Sequence, residues 1–261
     1  MYEIDGIRFY DAGPQAYLIG QPSWNEEGFA KFCSEMEIDT RSDQFTGAEA
    51  ENVIEAAGRG CYLSYGTGRP HVECIQNMRD MDHGSVFQHQ SVTVIITGVS
   101  RGLTHELVRH NVGNAMSQTS SRYVEASKLG FVIPPEFRDS PTLRRGFEDH
   151  CLNALGKYEA SLPYLVEALE LEHPTTQKTA IRKMARGAAR AMLPINLAQI
   201  ITFSFNAHSA RHFLRMRGNR HADIEIRELA LVLAPVFKTV WPALNEDVHV
   251  EDGEVKLGWT V

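Results

Sequence analysis

Between Arg109 and Tyr123 the chain reads RHNVGNAMSQTSSRY, two arginines and a histidine set around a run of glycine, asparagine and serine. A guanidinium offers five donors in a planar fork that matches a phosphate, and serine hydroxyls and loop amides can fill the remaining acceptor positions. Phosphate recognition is the chemistry this composition points to. The plain alternative is a surface loop whose arginines pair with the protein's own carboxylates. Glu106 and His110 stand four apart, an acid/base pair or, more simply, a salt-bridged helix pair. His208 and His212, and then His221 and Glu225, repeat that spacing. It puts both members on one helix face and raises a metal enzyme as a rival class, although one such pair is a weak signal.

The elements that must carry these residues follow from periodicity. The first 50 or so residues, with breaks at Gly13-Pro14 and Gln21-Pro22, read as irregular packing over a core formed later. Short helices are expected over Gly47 to Gly58 and Pro70 to Met81, the second ended by Asp82-His83-Gly84-Ser85. Gln90 to Gly98 is β-branched and apolar and predicts a buried strand. Ser100 is a good N-cap for a helix that buries Leu103 and Leu107 and delivers Arg109 and His110 at its end. A long helical pattern from Leu143 to Leu171 is expected to break near Pro163. Further helices are expected over Thr179 to Met192, Asn206 to Arg217 and Ala222 to Val240, with a second strand over Ala198 to Phe205. Arg190 and Arg217 then fall at helix C-terminal ends, where the macrodipole favours any cation. Helices on a small sheet without regular alternation predict an α+β fold, and 261 residues fit one domain.

Composition narrows the function classes. A hydrophobic content of 43% with 23% charged residues is ordinary for a globular protein. A formal net charge of -7 argues against sequence-blind nucleic-acid binding, which needs a basic face. No apolar run approaches the roughly 18 residues of a membrane span, and the start Met1-Tyr2-Glu3 has no signal-peptide character. The expected compartment is the cytoplasm. Cys33, Cys61, Cys74 and Cys151 show no zinc-like spacing and are expected to be reduced.

At Arg109, His110, Ser120, Arg122 and Tyr123 the chain resembles the flavin-dependent thymidylate synthases, whose signature is R-H-R, seven residues, then S-x-R and commonly tyrosine. Asn111 stands in the third position, and eight residues, 112 to 119, precede Ser120. Other elements of that family are matched in order. Upstream lie Tyr62-Leu63-Ser64-Tyr65 and the H-x-x-x-F-x-H turn of His83 to His89. Downstream lie Ala189-Arg190 with Leu193-Pro194-Ile195-Asn196-Leu197, then Asn206-Ala207, Phe213-Leu214, Arg217, His221-Ala222 and Glu225-Ile226. The resemblance runs from about Cys61 to Leu231 and leaves residues 1–50 and 246–261 outside it.

The resemblance implies a fold, a reaction and a set of roles. The reaction is reductive methylation of dUMP to dTMP with FAD, methylenetetrahydrofolate and NADPH, by a homotetramer with shared active sites. Arg109, His110 and Asn111 would meet the flavin, together with His83, Gln88, Asn206, His208 and His221. Ser120, Ser121 and Arg122 would take the nucleotide, with Glu106 and Gln118 beside them. Arg190 and Arg217 would reach the pyrimidine ring, where a cation stabilises charge as the ring carbon becomes nucleophilic, so that Arg190, Arg217 and Ser120 would carry catalysis. His208 stands where the family usually has arginine. Two alternatives keep the fold: hydroxymethylation of a pyrimidine nucleotide, or a nucleotide-binding relative without catalysis.

Overall fold

A computed structural model describes residues 1–258. Along the chain the elements run β1 (Tyr2–Ile4), β2 (Ile7–Tyr10), β3 (Gln15–Gly20), α1 (Glu26–Glu35), α2 (Glu49–Tyr62), α3 (His71–Asp80), β4 (Ser91–Ser100), α4 (Arg101–Leu107) and β5 (Ala115–Gln118). They continue with β6 (Phe131–Val132), α5 (Pro141–Glu172), α6 (Lys178–Ala189), β7 (Ala198–Asn206), α7 (Ala207–Arg217), α8 (Ile224–Val240), β8 (His249–Glu251) and β9 (Glu254–Lys256). The α+β expectation holds, with a four-stranded sheet in the order β3-β4-β7-β5. Among the described residues no helix is long and apolar enough to cross a membrane.

The chain divides into two compact units, each made of three segments. Of the described residues, one contains 1–15, 96–108 and 117–201, the other 16–95, 109–116 and 202–258. The first unit is built on β1-β2-β6, with β1 antiparallel to β2 and β6 parallel to it through Phe9 opposite Phe131. Phe9, Phe131, Cys151, Leu155, Tyr158 and Leu197 form its dry centre, and α5 lies along α6. The early residues are therefore not irregular. Asp5 and Gly6 both have positive φ, 51° and 77°, as the two-residue turn of a tight hairpin requires. Asp252 and Gly253 repeat that turn, at 50° and 70°, between β8 and β9. Helix α5 also departs from expectation by running unbroken through Pro163. The carbonyl that loses its donor belongs to Glu159, which faces solvent, while buried Cys151, Ala154, Leu155 and Tyr158 hold the preceding turns in the core.

In the second unit an aromatic stack fixes α7 and α8. The ring of Phe205 lies 5.4 Å from Phe213 and 5.2 Å from Phe237, and Phe237 lies 5.9 Å from Trp241. Beside it α2 carries charges that sequence patterning would place outside. Glu51, Glu55 and Arg59 are buried, together with His71 of α3. Glu55 accepts from Phe45 N (2.8 Å), Arg59 Nε (2.7 Å) and His71 Nδ1 (2.6 Å). Arg59 in turn donates to the carbonyls of Thr67 (2.9 Å) and Arg69 (2.6 Å). Irregular chain on both sides of α2 is thereby tied to one carboxylate. Gly47 is obligatory here, since a Cβ would lie 1.8 Å from His71 Nε2.

Candidate functional site

Helix α4 begins where Ser100 Oγ accepts from Leu103 N at 3.0 Å, the N-cap its type predicts. Past its end, residues 109–116 belong to the second unit and are stitched to the start of α7. Asn114 Nδ2 donates to the carbonyl of His110 (2.6 Å), and Ser209 Oγ donates to Asn114 Oδ1 (2.5 Å). Gly113 has φ +69°, and a Cβ there would sit 2.0 Å from Asn206 Nδ2, so the backbone lies directly against that side chain. Asn206 itself caps α7, its Oδ1 accepting from Ser209 N at 2.7 Å. A residue expected at the cofactor thus has a structural duty. Asn206→Ala is expected to cost about 1 kcal/mol in denaturant unfolding and Asn206→Asp to keep most of the cap; equal losses in both would contradict that assignment.

This stitching creates a cavity of about 530 Å³ lined by Arg109, His110, Asn111, Asn114, His208, Ser209, His212 and Arg217. Six residues singled out from the sequence therefore meet: Arg109, His110, Asn111, His208, His212 and Arg217. Arg217 Nε donates to His110 Nε2 at 2.9 Å, which leaves the His110 proton on Nδ1. Burial, then the neighbouring charges of Arg217 and His212, push His110 down to about 4. His208, one helical turn before His212, is also held below the usual histidine range, by burial and by His212, with Asp82 opposing. At neutral pH the imidazoles are uncharged and the guanidinium groups of Arg109 and Arg217 carry the positive charge.

The remaining expected residues lie elsewhere. His83 stacks on Tyr62, ring centroids 5.9 Å apart, in a separate cavity of about 230 Å³ with Arg59 and Asn77. Gln88 and His221 are exposed, as is Gln118, and Glu106 is half-buried on α4. In the first unit Thr119 N donates to the carbonyl of Ile200 (2.9 Å), pinning the loop to β7. Ser120 closes the next turn by accepting from Tyr123 N and Val124 N, both at 3.0 Å. Ser121 is then buried and lines a cavity of about 260 Å³ with Arg190, Arg101, Leu193, Pro194 and Ile195. Arg122 lies across α6 at Gly187, its Nε 3.6 Å from the position of a glycine Cβ. Arg101, Asn114 and Ser209 went unmarked in the sequence; the adjacency of Arg101 to a capping serine was the one available signal.

A cavity walled by guanidinium, amide and neutral imidazole groups, on a mixed α+β frame, offers hydrogen-bond donors and positive charge to a ligand. The comparisons give the family. The family model of thymidylate synthase complementing protein matches residues 44–243. The chain is 36% identical over 205 residues to a flavin-dependent thymidylate synthase of Mycobacterium marinum, covering 77% of this chain and 80% of that protein. It is 37% identical over 202 residues to the Mycobacterium tuberculosis enzyme of that name, covering 76% and 79%. The chain belongs to the flavin-dependent thymidylate synthase family and is an enzyme of that type. In fold it is similar to the UMP/dUMP methylase PolB from Streptomyces cacaoi, solved with 5-Br dUMP, with a TM-score of 0.63 at 18% identity over 92% of this chain and 96% of that one.

Proposed function

We propose that the enzyme methylates dUMP, or a closely related pyrimidine nucleotide, to the corresponding thymidylate, using FAD, methylenetetrahydrofolate and NADPH, as a cytoplasmic homotetramer. The observation that carries this reading is the hydrogen bond from Arg217 to His110. It joins residues 107 positions apart at one cavity with Arg109, Asn111 and His208.

The residues present fit a flavin. A volume of about 530 Å³ lies within the range of small-ligand sites. Its donors suit both the ring edges and the phosphates, and Gly113 and Gly84 keep the backbone close to Asn206 and His208. Arg109, His110, Asn111, Asn206 and His208 would hold the cofactor, which when bound and reduced supplies hydride chemistry. The chain contains no G-x-G-x-x-G phosphate loop, which is why the reading shares the site among subunits.

The protein's own contribution is to bind and to stabilise charge. Ser120 and Arg122 take the nucleotide phosphate. Arg190, with Arg101 in the same cavity, faces the pyrimidine, and Arg217 adds a further cation for the ring. Guanidinium groups at the ring carbonyls favour the negative charge that develops as the ring carbon attacks the one-carbon donor. No side chain is required as a covalent nucleophile.

The test uses the purified chain, its visible spectrum, and the mass of the nucleotide after incubation with dUMP, methylenetetrahydrofolate and NADPH. A yellow protein and a mass gain of one CH2 are expected. A gain of CH2O would reassign the reaction to hydroxymethylation, the reading favoured by Asn111 and the neutral His208. A protein that takes up no flavin would overturn both.

A further inference from the structure

The loop of residues 120–125 rests on one stripe of α6. Lys183 and Gly187 of α6 and Arg190, the helix's C-cap in αR conformation, recur at spacings of four and three, which places them on the same side. Arg122 crosses the helix at Gly187, and Lys183 Nζ sits 4.6 Å above the ring of Tyr123. Arg186, on the flank of the stripe, clamps the loop by donating to the carbonyl of Tyr123 (2.8 Å) and to Glu125 (2.6 Å). From Lys183 to Arg190 the helix rises about 10 Å.

Arg186 and Lys128 are committed to Glu125. Among the described residues, Arg122, Lys183 and Arg190 have no carboxylate within ion-pairing distance. Tyr123 feels that charge: its phenol is held below the usual range, chiefly by the hydrogen bond from Lys183. Three cations, two of them carried on backbone positions that span about 10 Å of helix, none paired with a carboxylate, exceed what a single phosphate monoester requires.

Order along the stripe gives the row a direction. This step rests on the reading above, in which Arg190 faces the pyrimidine and Arg122 the 5′-phosphate. Continuing from base to phosphate along α6, the next cation is Lys183. We propose that Lys183, set by Tyr123, forms a second phosphate subsite, so that the nucleotide site of this chain accepts pyrimidine nucleoside 5′-diphosphates as well as monophosphates. A diphosphate extends its terminal group from Arg122 toward Lys183, whose long side chain brings an ammonium beside the hydroxyl of Tyr123. The proposal concerns binding and adds no chemical step.

Isothermal calorimetry on the full chain with FAD present, titrated with dUMP and with dUDP, tests it. Wild-type protein is expected to bind dUDP at least as tightly as dUMP. Lys183→Gln is expected to lower the ratio of dUDP to dUMP affinity by roughly tenfold, the worth of one charge-assisted hydrogen bond, and Lys183→Arg to restore most of it. Arg122→Gln is expected to weaken both ligands. Binding of dUMP with exclusion of dUDP, or a ratio unmoved by Lys183→Gln, overturns the diphosphate subsite and leaves the proposed function intact. Failure of either nucleotide to bind, or indifference of both to Arg122→Gln, overturns the nucleotide assignment itself and the subsite with it.

Discussion

Replacing Arg217 by glutamine is expected to lower kcat by about 10²- to 10³-fold, the usual effect of removing one preorganised donor from a site where charge develops. The same substitution is expected to move the titration of His110 upward from about 4. Three causes hold that ring neutral, burial first, then the guanidinium at 2.9 Å, then His212; glutamine removes the second and leaves the other two. Steady-state kinetics and an NMR pH titration of the imidazole signals read the two effects in one protein. Arg217→Lys separates charge from geometry, since an ammonium keeps the cation but loses the planar fork. A kcat within threefold of wild type, with His110 shifted as expected, would remove Arg217 from catalysis while leaving its place in the cavity.

The largest expected effect on stability lies outside the cavity, at Glu55. This carboxylate is fully buried, and three donors converge on it. Glu55→Gln keeps the shape but strands the guanidinium of Arg59 and leaves His71 with Glu51 alone, 3.6 Å from Nε2. Breaking a buried pair in this way costs about 3–5 kcal/mol, read as a shift in the denaturant midpoint. The network also predicts a pH dependence. Burial works against a charged His71, but the hydrogen bonds and charges of Glu51 and Glu55 outweigh it and raise the ring from 6.5 to about 9. A raised value in the folded state means that the stabilisation is complete below the unfolded value of about 6.5 and is lost as pH rises through about 9. The stake is on the order of 3 kcal/mol. Wild-type unfolding free energy is therefore expected to fall between those limits, and His71→Gln to be flat across them. A flat wild-type profile would show that the ring is neutral in the fold.

Local signals in the chain translated well into structure. Ser100 and Asn206 cap the helices that follow them, and the β-branched runs from Gln90 and Ala198 became β4 and β7. Signals that depend on distant partners did not. β2 is four residues long and is secured by Phe131, far along the chain, so the stretch read as irregular although Asp5-Gly6 could have marked the turn. Pro163 was legible as a helix breaker, but not the burial on the preceding turns that carries α5 past it. At the site, arginine and histidine positions were readable because their chemistry is distinctive. Asn114 and Ser209 were not, because they act by holding the loop to α7, and Lys183 was not, because only the fold lays Tyr123 beneath it.

The three-segment make-up of each unit bears on how the chain reaches its fold. The first unit needs residues 1–15 together with the stretch ending at 201, and the second needs residues 16–95 together with those after 201. No single proteolytic cut releases either unit whole, and during synthesis neither is complete until most of the chain has left the ribosome. Contacts of such long sequence separation slow folding and leave apolar strands such as β4 waiting for partners. Refolding of the full chain is thus expected to be slow for its length, which stopped-flow fluorescence would read.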